Sequence, residues 1–461
     1  MLKCALHSLG CKVNSYETQA MQRLMEEAGY EIVPFGNDPA DVYIINTCSV
    51  TNIADHKSRQ MIHKARGLNP DAVVIVTGCY IESAGEKLDT EDIDVVIGNN
   101  DKSRLLVLLK EHYLRIGDSA AAERLEMVLG KSCCNISVTD KSNNTFDEMR
   151  LDMPLEHTRA YIKVQDGCNR FCTYCIIPYV RGRIRSRNMD SVIEEVTRVA
   201  LNGCKEIVLT GIHLSSYGLD GKNESGDEGY SDSSLITLIE QLNKVGPLMR
   251  IRLGSLEPRI ITEDFARRLA ACDKICPHFH LSLQSGSDSV LHRMNRKYTS
   301  DEFYESVCIL RKYFDDPAIT TDVIVGFPGE SEEEFEETAA FLEKVRFYEL
   351  HVFKYSRRAG TPADKMPGQL SNADKEVRSR RLIDMDARLS EQYRRSYIGK
   401  TVKVLLEDTQ IIDNKKYICG FTDTYVRVCL PYDESLKSGD LIDVTLDEIV
   451  SRNIMLGHPA Q

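Results

Sequence analysis

The first hundred residues repeat one plan three times, an apolar strand-like run followed by an amphipathic helix. "KCALHSLGCKVN" runs from a strand through a glycine towards the helical "YETQAMQRLMEEAG", and "DVYIINTCSVT" and "DAVVIVTGCY" begin two further repeats. Strands that alternate with helices predict a parallel sheet covered by helices. The sequence therefore predicts an α/β protein that begins with an open parallel α/β domain over 1–113.

A cysteine follows the strand in each repeat, namely Cys11, Cys48 and Cys79. In an open parallel sheet the loops after the strands lie along one edge, so we expect these three side chains to converge. Any one of them could be an ordinary buried cysteine, because cysteine is often a packing residue. The same placement in three successive repeats favours a shared ligand.

A second strand–helix series predicts a partial (β/α)₆ barrel over 154–385. Its strands are "RAYIKVQ", "EIVLTG", "MRIRLGS", "FHLSLQSG", "ITTDVIVGFPGE" and "YELHVFKYS". Helical stretches such as 191–202 and 262–271 separate them, and the chemistry of such barrels lies at the carboxyl ends of the strands. Residues 114–153 read as an interdomain linker with a short hairpin at most, in which the adjacent Cys133 and Cys134 are not expected to be ligands.

The last part of the chain changes to a period of two after a charged helix over 372–397. Four or five short strands predict a small antiparallel β-barrel over 396–460, a fold that often binds oligonucleotides. Basic side chains are in local excess where the helix leads into this barrel, which fits an RNA backbone, although a solvated face is the simpler alternative. These residues are Arg378, Arg380, Arg381, Arg388, Arg394, Arg395, Lys400 and Lys403.

Composition limits the class of protein. A chain of 461 residues suggests two to three domains, and its net charge of −12 argues against non-specific binding of nucleic acid by the whole surface. No apolar run reaches the roughly 18 residues of a membrane span, and the start lacks the features of a secretory signal. We expect a cytoplasmic protein without membrane contact, whose 15 cysteines serve metal binding and packing rather than disulfides.

The stretch "VQDGCNRFCTYCIIPYVRG" holds Cys168, Cys172 and Cys175 on the loop after the first barrel strand. A structural zinc site needs a fourth ligand and usually presents two C-x-x-C pairs. Three thiolates on a 4Fe-4S cluster instead leave one iron open, where a small molecule can bind and be reduced. The spacing alone permits zinc, but the loop position, with Gly167 before it and Tyr174 inside it, favours the cluster.

Six motifs in order resemble the radical S-adenosylmethionine (SAM) methylthiotransferase family over nearly the whole chain. They are "LGCKVNSYE", "INTCSVT", "VTGCY", "DGCNRFCTYCIIPYVRGRIRSR", "HLSLQSGSDSVLHRMNRKY" and "TTDVIVGFPGES". The carboxyl-terminal strands resemble that family's RNA-binding TRAM domain. The resemblance implies two 4Fe-4S clusters: a SAM-cleaving cluster on the 168–175 loop, and an auxiliary, sulfur-supplying cluster on the three amino-terminal cysteines.

The resemblance also implies contacts with SAM at the ends of the barrel strands, although packing or turn formation could explain each residue alone. The implied contacts are Tyr174, Thr210, Gly211, Ser255, Glu257, Gln284, Gly326 and Gly329. Arginines that follow the cysteine loop could contact phosphate or carboxylate, or form a solvated basic strand: Arg181, Arg183, Arg185 and Arg187. The remaining cysteines match no ligand position and are expected to pack: Cys4, Cys204, Cys272, Cys276, Cys308, Cys419 and Cys429.

The implied reaction needs an electron donor such as a flavodoxin or ferredoxin and two SAM molecules per turnover. One SAM is cleaved to methionine and a 5′-deoxyadenosyl radical, which takes hydrogen from carbon 2 of an adenine. The auxiliary cluster then supplies sulfur, and the second SAM supplies the methyl group. We expect the enzyme to be a monomer.

The family acts on three substrate classes, and the first and fourth motifs favour N6-threonylcarbamoyladenosine beside the anticodon of tRNA. The alternatives are isopentenyladenosine in tRNA and an aspartate of a ribosomal protein. Two other classes of protein compete with the enzyme: an RNA-binding protein with structural clusters, and an electron-transfer or redox-sensing protein. The open iron argues against the electron-transfer class, and the barrel with glycines at its strand ends argues against a purely structural role.

Overall fold

The structure is a computed structural model, and it describes residues 2–131, 145–152, 158–220, 234–451 and 453–460. Three strand systems follow one another along the chain: a parallel sheet, a partial barrel and a small closed barrel. Cys133 and Cys134 lie outside the described residues. No helix in the described ranges combines the length and the apolar character that crossing a membrane requires.

The amino-terminal sheet has five parallel strands in the order β2-β1-β3-β4-β5. The strands are β1 Lys3–Ser8, β2 Glu31–Ile32, β3 Val42–Thr47, β4 Val73–Gly78 and β5 Val95–Ile97. The helices are α1 Lys12–Glu27, α2 Asn52–Leu68, α3 Cys79–Ala84, α4 Leu105–Ile116 and α5 Ser119–Lys131. Every residue of β3 and β4 is buried, as expected for central parallel strands between helices. The three predicted strand–helix repeats are confirmed, and two short strands extend the sheet at its edges.

The expected linker over 114–153 differs in the structure, because α5 occupies its first part. Asp118 accepts the backbone N–H of Ala121 at 3.0 Å at the start of this helix. Ala121, Ala122 and Leu125 are buried in the same core as α4. An alanine-rich run with a strong helix propensity thus forms a helix where the prediction allowed only a hairpin.

The central strands are parallel and follow the order β6-β8-β9-β10-β11-β12, which confirms the partial barrel of six strands. They are β6 Arg159–Asp166, β8 Glu206–Gly211, β9 Arg250–Leu253, β10 His278–His280, β11 Ala318–Val325 and β12 Glu349–Lys354, with a short antiparallel β7 Arg185–Ser186 beside β6. The helices are α6 Ile177–Val180, α7 Met189–Leu201, α8 Ser234–Leu242, α9 Glu263–Ala270, α10 Asp288–Arg293, α11 Ser300–Tyr313 and α12 Glu332–Val345. Helix α1 of the first domain packs against β6 and β8. The amino-terminal sheet is thereby attached to the first two strands of the barrel.

The carboxyl-terminal strands close into a barrel in the order β13-β14-β15-β17-β16, after helix α13 Asn372–Arg395. They are β13 Thr401–Ile412, β14 Lys415–Thr422, β15 Arg427–Pro431, β16 Leu441–Ser451 and β17 Ile454–Pro459. Neighbouring strands are antiparallel except β15 and β17, which run parallel. Cys419 and Cys429 lie opposite each other on β14 and β15 and form a disulfide, so the expectation that both are packing thiols is wrong.

Candidate active site

The three cysteines of the predicted cluster loop lie between β6 and α6 on a backbone that requires glycine at its start. Gly167 has a φ of +69°, and a Cβ added there would overlap the backbone carbonyl oxygen of Arg183. Cys168 donates its N–H to the Gly182 carbonyl at 3.0 Å, and its Sγ accepts the N–H of Arg170 at 3.4 Å. Burial, aided by the neighbouring Cys172 thiol, raises the pKa of Cys168 to about 12. The loop therefore holds thiols in an enclosed place, where a cationic iron centre would favour their thiolate forms.

The three amino-terminal cysteines also come together. Cys11 lies immediately before α1, Cys48 follows β3, and Cys79 is the first residue of α3. Gly10 permits this approach, because a Cβ added there would lie 2.9 Å from Cys48 Sγ. Burial raises the pKa of Cys48 to about 11, and the nearby Cys79 and Cys11 thiols add to the rise. The convergence that the strand pattern suggests is thus present in the fold.

Each group presents three thiols, the side chains that iron–sulfur clusters use as ligands. Within the part of the chain that the structure describes, no three His, Cys, Asp or Glu side chains meet closely enough to hold one metal ion. Three thiols on one loop, with the backbone N–H of Arg170 donating to Cys168 Sγ, are a donor set that fits a 4Fe-4S cluster.

Arg181 joins the two cysteine groups. It follows Cys175 by six residues, is buried, and donates from Nε to Cys79 Sγ at 3.4 Å. Its Nη2 donates to Asn14 Oδ1 at 2.7 Å, so the same side chain also holds the start of α1. Ile176 and Val180 pack directly against Cys79. The segment that follows one cysteine group therefore forms a wall of the other.

Arg181 belongs to a buried charge network that crosses from the first domain to the barrel. The network consists of Glu17, Lys102, Lys163, Asp166, Arg181 and Arg185, each with at most 2% of its side chain exposed. Lys163 lies 2.7 Å from both Glu17 and Asp166, and Arg181 lies 3.0 Å from Glu17. Two carboxylates thus face four cations. The positive excess lies beside Cys79, where it suits thiolates and an anionic occupant.

A second buried arginine holds the Cys48 loop. Arg358, on the segment after β12, donates from Nη1 to Asp55 Oδ2 at 2.6 Å and from Nη2 to Ser49 Oγ at 2.6 Å. It also reaches Ser83 Oγ, on the helix that begins with Cys79, at 3.4 Å. The last barrel strand therefore helps to set the geometry of the amino-terminal cysteines.

Three polar side chains that the sequence analysis did not select, Arg170, His213 and Arg296, lie around the cluster loop. Arg170 Nε and His213 Nε2 lie 2.7 and 2.8 Å from Glu257 Oε2. Burial acts against ionisation, but His213 and Arg170 hold the pKa of Glu257 well below its usual range. Arg296 donates to Cys172 Sγ at 3.6 Å. Arg170 was recognisable from its place inside the cysteine loop, whereas no local pattern marks His213 or Arg296.

The predicted SAM contacts fall into two groups. Glu257 lies next to the cluster loop through Arg170, and the exposed Ser255 is on the same strand-end segment. Thr210 and Gly211 lie at the end of β8, where Gln165 approaches Gly211.

The other predicted contacts lie elsewhere around the barrel, and their burial differs: Gln284 is buried, whereas Gly329 is exposed. Gln284 has a φ of +73° and continues the strand ladder, donating its N–H to the Asp322 carbonyl. Tyr174 packs against an apolar cluster that includes Phe327, which agrees with the packing alternative. Lys375 covers Gly326, while Gly329 donates its N–H to the Gly368 carbonyl. Whether any of these residues contacts SAM stays a prediction.

The arginines after the cysteine loop are mostly inside the protein. Arg181, Arg185 and Arg187 are buried, and Arg187 pairs with Glu195. Arg183 is exposed and lies over the ring of Phe171 at 4.8 Å. The three buried arginines contact carboxylates of the protein itself, and the alternative of a solvated strand holds at most for Arg183.

The basic excess on α13 is largely paired with acidic residues. Arg378 lies 3.0 Å from Glu332, and Arg381 and Arg388 pair with Glu336 and Glu343 on α12. Further pairs are Arg380–Glu376, Arg395–Glu391 and Lys403–Asp443, while Arg394 is buried. The sequence pattern overstates the positive field, because Glu332, Glu336 and Glu343, which compensate three of the arginines, lie on a different helix.

Six parallel barrel strands, with three cysteines on the loop after the first strand, define a radical SAM protein. The model of the Radical SAM superfamily matches residues 162–342, and that of the Uncharacterized protein family UPF0004 matches residues 3–98. The radical S-adenosylmethionine methyltransferase TsrM from Kitasatospora setae shares this fold. Its structure with cobalamin and a [4Fe-4S] cluster has a TM-score of 0.53 at 14% identity, over 79% of this chain and 77% of that one.

Curated relatives identify the family within the radical SAM proteins to which this chain belongs. "Threonylcarbamoyladenosine tRNA methylthiotransferase MtaB" of Bacillus subtilis is 40% identical over 95% of this chain and 92% of its own length. The protein of the same name from Aquifex aeolicus is 37% identical over 90% and 96%. A "tRNA-2-methylthio-N(6)-dimethylallyladenosine synthase" of Acetivibrio thermocellus is 34% identical over 96% and 88%. The chain belongs to the radical SAM tRNA methylthiotransferase family.

Proposed function

We propose that this protein methylthiolates carbon 2 of N6-threonylcarbamoyladenosine beside the anticodon of tRNA. The observation that carries the proposal is that the segment directly after Cys175 packs against Cys79 through Ile176 and Val180, while Arg181 of the same segment donates to Cys79 Sγ. A radical generator and a sulfur donor must act on the same adenine, so they must lie side by side. The relatives named for threonylcarbamoyladenosine, at up to 40% identity, support this substrate over dimethylallyladenosine.

Two 4Fe-4S clusters fit the donor sets. Cys168, Cys172 and Cys175 would hold the cluster that binds SAM, and the other three cysteines would hold the auxiliary cluster. When bound, these groups supply one-electron reduction of SAM and the sulfur to be transferred. A flavodoxin or ferredoxin as electron donor, a monomeric state, and action in the cytoplasm, where tRNA is modified, complete the proposal.

The chain's own residues position these groups and limit access to them. Glu257, held ionised by Arg170 and His213, places negative charge beside the cluster loop. Such a carboxylate can accept hydrogen bonds from the ammonium or ribose hydroxyl groups of SAM. Arg296 fixes the opposite side of the loop through Cys172 and through the Ser282 carbonyl at 2.7 Å. Side-chain contacts thus hold the loop on both sides.

The test separates the two cysteine groups. Protein reconstituted anaerobically with iron and sulfide is mixed with SAM, dithionite and tRNA from cells that lack the enzyme. Formation of 5′-deoxyadenosine and of 2-methylthio-threonylcarbamoyladenosine is then measured by mass spectrometry. We expect Cys168→Ala to abolish both products, and Cys79→Ala to abolish the methylthio product while 5′-deoxyadenosine still forms.

Cys308→Ala, a change at an exposed cysteine on α11, is the matched control and should leave both products unchanged. Wild-type protein that binds tRNA but never forms 5′-deoxyadenosine would instead be an RNA-binding protein with structural clusters. Methylthiolation of dimethylallyladenosine alone would overturn the substrate.

A further inference from the structure

One of the four arginines that follow the cysteine loop stays at the surface. Arg181, Arg185 and Arg187 are buried beside carboxylates, whereas Arg183 is exposed. Among the described residues Arg183 makes no ion pair, and its guanidinium carbon lies 4.8 Å from the centre of the Phe171 ring. A guanidinium that stacks on a ring keeps the N–H groups at its edge free to donate, so Arg183 can still bind an anion.

An exposed tyrosine lies beside the same phenylalanine. The rings of Phe171 and Tyr179 meet edge to face with their centroids 5.6 Å apart. Tyr179 is 53% exposed, and Phe171 is half-buried. We call Phe171, Tyr179 and Arg183 the loop patch. The patch offers an accessible ring and a cation, which are the two groups that bind one nucleotide through its base and its phosphate.

The backbone holds Phe171 in an unusual conformation. Its φ is +46°, in the left-handed region that few residues other than glycine adopt. Asn295 maintains this conformation, because its Nδ2 donates to the carbonyl of Phe171 at 3.1 Å. A strained backbone that neighbouring residues maintain is typical of binding sites. Phe171 therefore acts as a support, since its one ring positions both Tyr179 and Arg183.

The loop patch borders both cysteine groups. Phe171 directly precedes Cys172, and Tyr179 directly precedes Val180, which packs against Cys79. In the proposed reaction the adenine must reach the space between the two groups. The nucleotides bonded to that adenosine on either side must then lie on the surface around the groups, where the loop patch is found.

We propose that the loop patch binds one nucleotide that flanks the modified adenosine in the anticodon loop, with its base stacked on Tyr179 and its phosphate held by Arg183. This inference rests on the proposed function, because it takes the adenine to the cysteine groups. Three side chains match one nucleotide, whereas a specific protein partner, such as the electron donor, buries about 1,200 Å² or more in total. Every base has a face that can stack, so the contact positions the RNA and does not read its sequence.

The experiment measures the Kd of anticodon stem-loop RNAs that carry N6-threonylcarbamoyladenosine. One RNA is complete, and two others lack the base of the nucleotide before or after the modified adenosine. Reconstituted wild-type protein is compared with Tyr179→Ala, Tyr179→Phe and Arg183→Gln. The control is Arg346→Gln, at an exposed arginine between α12 and β12, which is the end of the barrel strands away from the cysteine loop.

We expect Tyr179→Ala to raise the Kd of the complete RNA about five- to 150-fold, the range for the loss of one base–aromatic stack. One of the two base-deficient RNAs should bind wild type about as weakly, and Tyr179→Ala should not weaken its binding further. Tyr179→Phe should bind like wild type, because stacking does not use the hydroxyl group. An equal loss with all three RNAs in Tyr179→Ala would overturn the inference.

The salt dependence tests the phosphate contact. Arg183→Gln should weaken binding of the complete RNA and lower the slope of log Kd against log salt by about 0.7, the share of one phosphate in a single strand. Arg346→Gln should change neither quantity. A slope in Arg183→Gln that equals that of wild type would contradict the phosphate contact and with it the proposed nucleotide.

Two further readouts separate the loop patch from other roles. Iron content and 5′-deoxyadenosine formation without RNA should be the same in Arg183→Gln and wild type. If Tyr179→Ala loses iron, the wild-type protein decides, because it must bind one base-deficient RNA at least about fivefold more weakly than the complete RNA. Unchanged RNA binding with slower reduction by a flavodoxin would assign the patch to the electron donor and overturn the inference. The proposed function fails separately, only if wild type forms no methylthio product.

Discussion

The buried charge network predicts that replacing one of its acids lowers the free energy of unfolding more than replacing one of its bases. Glu17→Gln leaves one carboxylate, Asp166, for four cations. Arg181→Met leaves two carboxylates for three cations, and each carboxylate keeps a lysine at 2.7 Å. Removing one partner of a buried ion pair costs about 3–5 kcal/mol, because the other charge is left uncompensated.

That penalty applies in full to Glu17→Gln, because Glu17 is paired with Lys102 at 3.1 Å, Lys163 at 2.7 Å and Arg181 at 3.0 Å. We therefore expect it to destabilise the metal-free protein by about 3–5 kcal/mol. Arg181→Met should cost about 1–3 kcal/mol, the range for lost hydrogen bonds to charged groups, since no carboxylate becomes isolated. The double variant should cost less than the sum, with a coupling of more than about 0.5 kcal/mol.

Urea unfolding measures this difference. The chain has 20 tyrosines and no tryptophan, so circular dichroism and tyrosine fluorescence follow the transition. Arg183→Met, at the exposed arginine two residues along, is the control and should shift the midpoint little. A midpoint shift for Arg181→Met that equals or exceeds that of Glu17→Gln would refute the charge count on which the argument depends.

Three other outcomes follow from the site. Gly167→Ala should reduce the iron bound on the cluster loop, because the added Cβ overlaps a backbone carbonyl; iron content and 5′-deoxyadenosine formation measure this. The control is Gly67→Ala, whose added Cβ meets nothing within 4 Å and should leave both quantities unchanged. A second outcome concerns pH. Burial alone would raise the pKa of the Glu17 carboxyl, but Arg181, Lys102 and Lys163 hold this pKa well below its ordinary 4.5. Its stabilisation is therefore complete above about pH 4.5 and is lost as the pH falls below that value, so the urea midpoint should fall more steeply in wild type than in Glu17→Gln. Arg358→Met loosens only the Cys48 loop, so it should lower total iron by up to about half while 5′-deoxyadenosine still forms. Loss of both the iron and 5′-deoxyadenosine formation would show that the two cysteine groups are not independent.

The sequence predicts those parts of the molecule that depend on local pattern. The convergence of Cys11, Cys48 and Cys79 follows from their equal placement after parallel strands, and the six barrel strands follow from their apolar runs. Helix α5 was missed because its alanine run adjoins a polar segment that resembles a linker.

The charge network could not be predicted from the sequence, for a different reason. Arg181 and Glu17 are separated by 164 residues and by a domain boundary. A row of arginines looks the same in a sequence whether it is solvated or buried against distant acids. The basic excess of α13 misleads in the same way, because Glu336 and Glu343 lie 45 residues before the arginines that they neutralise.

The same excess of positive charge couples cluster binding at the amino-terminal cysteines to the contact between the first domain and the barrel. A buried excess of positive charge is unfavourable in itself, and the network tolerates it at the place where Arg181 donates to Cys79 Sγ. Thiolates at the amino-terminal cysteines would supply the missing negative charge, so any group that favours thiolates there also stabilises the contact between the first domain and the barrel. By the same reasoning, Asp166 is the only carboxylate of the network that remains in Glu17→Gln, and thiolates at Cys79 would partly replace the lost one. The cost of that substitution should therefore be largest in the metal-free protein, where Asp166 is the one carboxylate left beside the arginine that faces the sulfur.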